Sequence, residues 1–186
     1  MNLQKLFFPL VVAGGLLHAE SSVGLDINND DLELLASVNL NVLTDYEGGT
    51  AYFLNAGYLH TAGDDLASFG ISGQNTVQGI EGLTLGLGIN IVMTDNLIGL
   101  PLVAKAAYRL PFYAIPTTSL GVSYAFSPKV LTFLDGENYK EFKVEGDMEV
   151  ISKFHVFTGY RNIKTDYEDY HETFNNSFYG GMKLSF

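Results

Sequence analysis

The sequence predicts an all-β chain, a small antiparallel up-and-down transmembrane β-barrel of about ten strands, with eight as the alternative. Three observations predict it. First, the closing segment from Ser177 to Phe186 alternates strictly. Phe178, Gly180, Met182, Leu184 and Phe186 fall on one face, and Ser177, Tyr179, Gly181, Lys183 and Ser185 on the other. A period of two is a strand, and one that ends on an apolar-face aromatic suits a barrel closing in lipid better than a frayed soluble terminus. Second, the same alternation recurs in segments near the ~9–11 residues that cross a bilayer as a tilted strand. Third, the chain opens on an export signature.

That signature is Met1 to Ala19: Lys5, the apolar run Leu6 to Leu17, then His18-Ala19. It reads as a secretory signal peptide cut after Ala19, leaving residues 20–186 as the barrel. The run is too short for a spanning helix of ~20 residues. With no Cys in the chain, a lipoprotein anchor and disulfides are both excluded. The formal charge is -11, and losing Lys5 with the signal makes it -12. Such an acidic surface argues against a nucleic-acid partner reached through a basic patch.

The strands follow in order. The first four are weakly patterned: Val23 to Asn28, Leu32 to Leu43, Ala51 to His60 and Ala67 to Gln74. The clearest is Leu83 to Met93, where Leu83, Leu85, Leu87, Ile89, Ile91 and Met93 alternate with Thr84, Gly86, Gly88, Asn90 and Val92. Leu102 to Leu110, Ser119 to Ser127, Asn138 to Val150, Phe154 to Ile163 and Ser177 to Phe186 complete the set. The first strand and Ala67 to Gln74 are the marginal ones, hence the eight-strand alternative.

A soluble sandwich would give the same alternation. The polar faces decide against it, because they are rich in Gly, Ser and Ala, which fit a narrow interior. Aromatics also sit at strand ends on the apolar face. With both termini periplasmic, Ile151 to Lys153 is a short periplasmic turn, and Ser127 to Glu137 and Lys164 to Asn176 are long external loops. The outer girdle is then Tyr58, Tyr124, Phe126, Tyr160 and Phe178, and the inner one Tyr52, Tyr108, Phe154 and Phe186.

The interior faces carry Glu33, Lys105, Arg109, Glu141, Lys143, Glu145, Asp147, Glu149, Arg161 and Lys183. Charges in a narrow lumen are costly unless paired, so ion pairs are expected among Lys105, Arg109, Glu141, Lys143, Glu145, Asp147 and Arg161. Parity allows two registers across the Ile151–Lys153 turn. One sets Glu149 opposite His155 and Lys143 opposite Arg161. The other sets Asp147 opposite His155 and Glu141 opposite Arg161. The second avoids two facing cations and is the expectation.

No catalytic set is expected. A lipid deacylase needs Ser, His and an acid together, yet His60 has no Ser two residues on, His155 faces inward near the periplasmic side, and His171 lies in a loop. No cofactor is expected, and Gly86-Leu-Gly88 has no helix after it to make a phosphate loop. Asp166, Glu168, Asp169 and Glu172 are weak candidates for a divalent cation, without EF-hand spacing. The external segments as a group are acidic, which suggests calcium or magnesium shared with lipopolysaccharide phosphates.

Two resemblances add to this reading. Phe178, Met182, Leu184 and Phe186 resemble the C-terminal signal of bacterial outer-membrane barrels, which implies the barrel-assembly machinery as a partner during biogenesis. The segment Tyr124-Ala-Phe-Ser-Pro-Lys-Val-Leu-Thr-Phe-Leu-Asp-Gly-Glu-Asn-Tyr139, with Phe157-Thr-Gly-Tyr-Arg-Asn-Ile163, Tyr108-Arg-Leu-Pro111 and Leu184-Ser-Phe186, resembles the YfaZ family of outer-membrane proteins. The resemblance runs from about Leu102 to the end. It implies an outer-membrane barrel in contact with lipid and lipopolysaccharide, and no catalytic residues. The expected function is structural or interactive, with a narrow or plugged lumen. The alternatives are a small cation-preferring pore and, behind it, an outer-leaflet lipid A-modifying enzyme.

Overall fold

The computed structural model describes residues 21–44, 49–112, 116–168 and 170–186. The strands are β1 (Ser22–Ile27), β2 (Asp31–Asn39), β3 (Ala51–Thr61), β4 (Asp64–Thr76), β5 (Leu83–Met93), β6 (Leu97–Gly99), β7 (Leu102–Arg109), β8 (Thr118–Ser127), β9 (Thr132–Leu134), β10 (Gly136–Ile151), β11 (Phe154–Tyr167) and β12 (His171–Ser185). One turn of helix, α1 (Asn41–Thr44), follows β2, and a 3-10 turn (Lys129–Leu131) precedes β9. The expected signal segment 1–19 lies outside the described residues.

Ten of these strands form a closed antiparallel barrel in the order β1-β2-β3-β4-β5-β7-β8-β10-β11-β12, with β12 back on β1. The two marginal segments are therefore real, as β1 and β4. Strands β6 and β9 continue the lines of β7 and β8 toward the same end: β6 pairs with β5 in the register of β7, Val92 opposite Gly99 as Ile89 is opposite Leu102. They pair with each other, Leu97 opposite Leu134. The closing seam runs from Ser22 opposite Ser185 to Ile27 opposite Gly180. It needs Gly181, where a Cβ would stand 2.3 Å from the Leu25 carbonyl oxygen and 2.5 Å from the Phe157 ring. Ser21 and Phe186 exchange backbone hydrogen bonds of 3.2 and 2.8 Å and mark one end of the barrel, the proximal mouth.

The wall is apolar outside. Leu87 is 72% exposed and Phe178 79%, and Ile27, Phe69, Ile71, Leu102, Leu120 and Val156 are also exposed. Residues that a soluble sheet would bury instead form a continuous outer surface, far beyond the scattered exposure normal for a monomer. The expected girdle residues lie on this outer face. Tyr58, Tyr124, Phe126 and Phe178 are exposed toward the distal end, with Tyr160 packed on Phe178 at 5.2 Å, and Tyr52 and Tyr108 are exposed toward the proximal end.

Two sequence expectations fail. Lys164 to Asn176 is not a long loop, because β11 runs on to Tyr167 and β12 starts at His171. In this region the alternation inverts: Ile163, Thr165 and Tyr167 are buried inside while Lys164 is exposed. A strand that leaves an apolar surroundings turns its polar side outward, so a search for outward apolar residues passes over it. The expected alternation of short proximal and long distal connections also fails. The β3–β4 link at the distal mouth is only Ala62-Gly63, both at positive φ (45° and 101°), as the tight primed hairpin turn requires. Height on the distal side comes from long strands rather than long loops.

Candidate functional site: the barrel lumen

The interior is layered. Nearest the distal mouth lies an apolar cluster of Leu59, Leu66, Val92, Leu97, Tyr139 and Ile163 and their neighbours, drawn from both sides of the ring, with Phe174 packed against it. Leu97 and Tyr139 are 0% exposed. Leu97 comes from β6, two residues from Gly99, which stands opposite inward Val92, so its side chain points from the wall into the cluster. Its seat is close: a Cβ on Gly136 would stand 2.7 Å from Leu97 Cδ1. The pair is fastened to β8 through Ser127, whose hydroxyl donates to the Leu131 carbonyl at 2.8 Å and accepts from the Leu100 amide at 3.2 Å. Outside the wall, Glu137 accepts a hydrogen bond from Lys129 and pushes that ammonium group above its ordinary range.

Below this cluster is an ionic layer. Arg161 on β11, 0% exposed, meets Glu33 of β2 at 2.5 Å, and Asp26 of β1 and Asp31 of β2 at 3.8 Å each. Lys143 of β10 reaches the same Glu33 oxygen at 3.2 Å. The Tyr179 ring lies under both cations, 5.4 Å from Lys143 Nζ and 5.2 Å from Arg161 Cζ, a favourable placement for a cation. Arg161 Nε donates to Asn175 Oδ1 at 3.1 Å, and Asn175 Nδ2 donates to Asp31 at 2.8 Å. Ser177 donates to Asp31 at 2.6 Å and Thr61 also donates to it. Nearer the proximal mouth, Asp147 takes Lys183 and His155, both at 2.7 Å.

The register across the β10–β11 turn is the one not expected. Lys143 stands opposite Arg161 and Glu149 opposite His155, with Ile151 opposite Phe154 around Ser152-Lys153. The argument from two facing cations considered only those two strands. Glu33 reaches across from β2 and lies against both cations, so their repulsion is compensated from the other side of the ring. Asp147 still meets His155, diagonally.

Of the expected lumen pairs, Lys143, Asp147 and Arg161 are in pairs. Lys105, Arg109, Glu141 and Glu145 are not, among the described residues. Glu141 accepts instead from the Tyr139 hydroxyl at 2.9 Å and Glu145 from the Tyr179 hydroxyl at 3.0 Å, so each is satisfied by a phenol. Arg109 is exposed at the proximal mouth, and Glu149 accepts from the Lys153 amide in the turn. Lys105 points into a cavity of about 310 Å³ below the ionic layer, bounded by Gly57, Ser68, Asn90 and Ser123 on the small-residue side of the barrel. The residues missed by sequence reasoning are Asp26, Asp31, Tyr139, Asn175 and Tyr179 as network members, and Leu97 in the apolar cluster. All have the inward parity of their strands; that signal was available for Asp26, Tyr139 and Tyr179, whereas Asp31, Leu97 and Asn175 fell in segments read as connections.

The three histidines among the described residues each pair with an aspartate and are far from forming one site: His60 with Asp65 at 2.7 Å, His155 with Asp147, and His171 with Asp166 at 2.8 Å. Among the described residues no Ser or Thr hydroxyl is hydrogen-bonded to any of them. Asp166 also takes Lys140 at 3.3 Å, and among the described residues no cluster of three metal-ligating side chains occurs. Asp169 lies outside the described residues. Asp64, Asp95 and Glu172 line one cavity at the distal mouth, and Asp30 lines another.

No protein-family model matches the chain, and no curated protein matches it. Solved structures are similar in fold. KdgM porin in complex with disordered oligogalacturonate is 10% identical, with 90% of this chain and 99% of that one covered and a TM-score of 0.48. KdgM porin alone is 9% identical, with the same coverage and a TM-score of 0.46. A chain solved in work on in-meso crystallization of membrane proteins is 13% identical, covering 90% of this chain and 83% of that one, with a TM-score of 0.45.

Proposed function

We propose that this chain is an integral outer-membrane barrel of the structural or interaction type, related to the YfaZ proteins, with its lumen closed toward the cell exterior. The outer apolar surface supports residence in lipid, since a closed barrel leaves no backbone edge unpaired there. On this reading the termini and the proximal mouth face the periplasm. The acidic distal mouth faces outward, among lipopolysaccharide. Phe178, Met182, Leu184 and Phe186 stand on the outer face of β12, available to the assembly machinery before β12 closes on β1.

The observation that carries the closed lumen is the apolar cluster. An open channel leaves its inward residues wetted, whereas Leu97, Tyr139, Ile163 and Arg161 are buried from wall to wall. A barrel this small is ordinarily filled by its own side chains. The cavity beside Lys105 lies under the cluster and favours entry of small solutes from the periplasmic side without passage. The experiment is to refold Glu20 to Phe186 into proteoliposomes and measure swelling in isotonic arabinose. A folded, heat-modifiable barrel with no swelling above empty liposomes supports the reading. Swelling at the rate of a general porin contradicts it.

A further inference from the structure

The distal rim steps down at the seam between β12 and β1. β12 rises to His171, but its partner β1 ends at Ile27, opposite Gly180. From Tyr179 up to His171, β12 has no strand on that side. At the other seams of this rim, neighbours pair almost to the hairpin tips or are covered by β6 and β9. Beside the bare edge is a cavity of about 560 Å³, lined by Asn28, Asn29 and Asp30 on one lip and by Thr173, Asn176 and Phe178 on the other.

The edge is in pairing geometry. Asn28 Nδ2 donates to the Phe178 carbonyl at 3.2 Å, as the next residue of β1 would have done. The Phe178 backbone therefore faces the step, and by two-residue alternation so does that of Asn176. β12 bulges opposite the Ile163–Lys164 step, which brings Thr173 round to the same side. The floor is fixed by the Asn175–Asp31–Ser177 network, so the cavity does not collapse. Its lining carries Asp30 and Asp31 and no Lys, Arg or His.

From this we infer that the step between β1 and the upper part of β12 binds an extended peptide segment of a partner protein, neutral to basic in charge, which pairs antiparallel with β12 from Phe178 to Thr173. An uncovered strand edge is a template for such addition. The main chain supplies the bonds, the carboxylates at the lip select against acidic segments, and the added strand continues the line of β1. The inference goes beyond the proposed function and does not depend on the lumen being closed.

The test uses the full barrel folded in detergent and the peptide acetyl-Lys-Thr-Val-Thr-Val-Lys-amide. Amide hydrogen exchange should slow at Asn176 and Thr173, and binding should be at least tenfold tighter than for the version with Glu at both ends. N-methylation of the central residues should abolish it. Asn176→Pro should remove binding while the gel shift of the folded barrel persists. Asp30→Lys, on the exposed lip, should reduce the preference for the basic peptide and serves if Asn176→Pro does not fold. Equal binding of the N-methylated peptide, or no protection at Asn176 with peptide in the millimolar range, overturns the inference. So does protection by maltohexaose in place of the peptide, which would make the cavity a saccharide site.

Discussion

Arg161→Met puts a number on the ionic layer. Met keeps much of the volume, so the change removes charge more than packing. Each carboxylate then has different support. Glu33 keeps Lys143 at 3.2 Å. Asp31 keeps its hydrogen bonds from Asn175, Ser177, Thr61 and Asn28. Asp26 keeps only the neighbouring Glu33 carboxyl, a contact that needs one of the two protonated, and Arg161 is the one cation within 4.0 Å among the described residues. The uncompensated burial therefore falls on Asp26. Removing one partner of a buried pair costs about 3–5 kcal/mol, and the lost bond to Asn175 adds to it, while protonation of Asp26 offsets part. The expected loss is about 4 kcal/mol. Adding Asp26→Asn should restore about 2 kcal/mol, a coupling of the size seen within one charged network. The assay is urea unfolding in lipid vesicles, followed by the heat-modifiable gel shift and by Tyr fluorescence, the chain having no Trp. A loss under about 1 kcal/mol, the level of an exposed pair, would refute the reasoning, as would no recovery in the double variant.

Other substitutions probe the same interior. Gly159→Ala places a Cβ 2.4 Å from the Val144 carbonyl oxygen and should cost about 1–3 kcal/mol by overpacking, whereas Gly121→Ala, with nothing nearer than 3.9 Å, should be close to neutral in the same unfolding assay. Lys105→Met should leave stability unchanged or raise it by up to about 1 kcal/mol, since the ammonium has no carboxylate within 4.0 Å among the described residues; a clear loss would reveal a pairing the geometry does not contain. Leu97→Asp should break the apolar cluster and admit arabinose in the swelling assay, and a variant that folds yet stays impermeable would show that the ionic layer alone closes the lumen.

Much of the wall was legible because the outer face repeats one chemistry. Leu83 to Met93 is read to the residue, since apolar side chains in lipid must alternate without a break. The upper parts of β11 and β12 were lost for the same reason: at Ile163, Thr165 and Tyr167 the inside becomes the apolar side, and the outward pattern disappears. The ionic residues could be assigned to the interior by parity, but not to their partners. Glu33 serves Arg161 from a strand remote in sequence, and barrel curvature brings it there. That distance effect also explains why the register argument across Ser152-Lys153 favoured the wrong alternative. Leu97 gave no signal, because a three-residue strand has no period to read.

The central claim is that the lumen is closed, and planar-bilayer recording of the refolded Glu20–Phe186 barrel tests it most directly. The account predicts insertion without discrete conductance steps in the wild-type barrel, with steps appearing in Leu97→Asp. Stable, cation-selective steps from the wild type, falling when Glu145 or Asp147 is neutralised, would contradict it and make the charged layer the constriction of a pore.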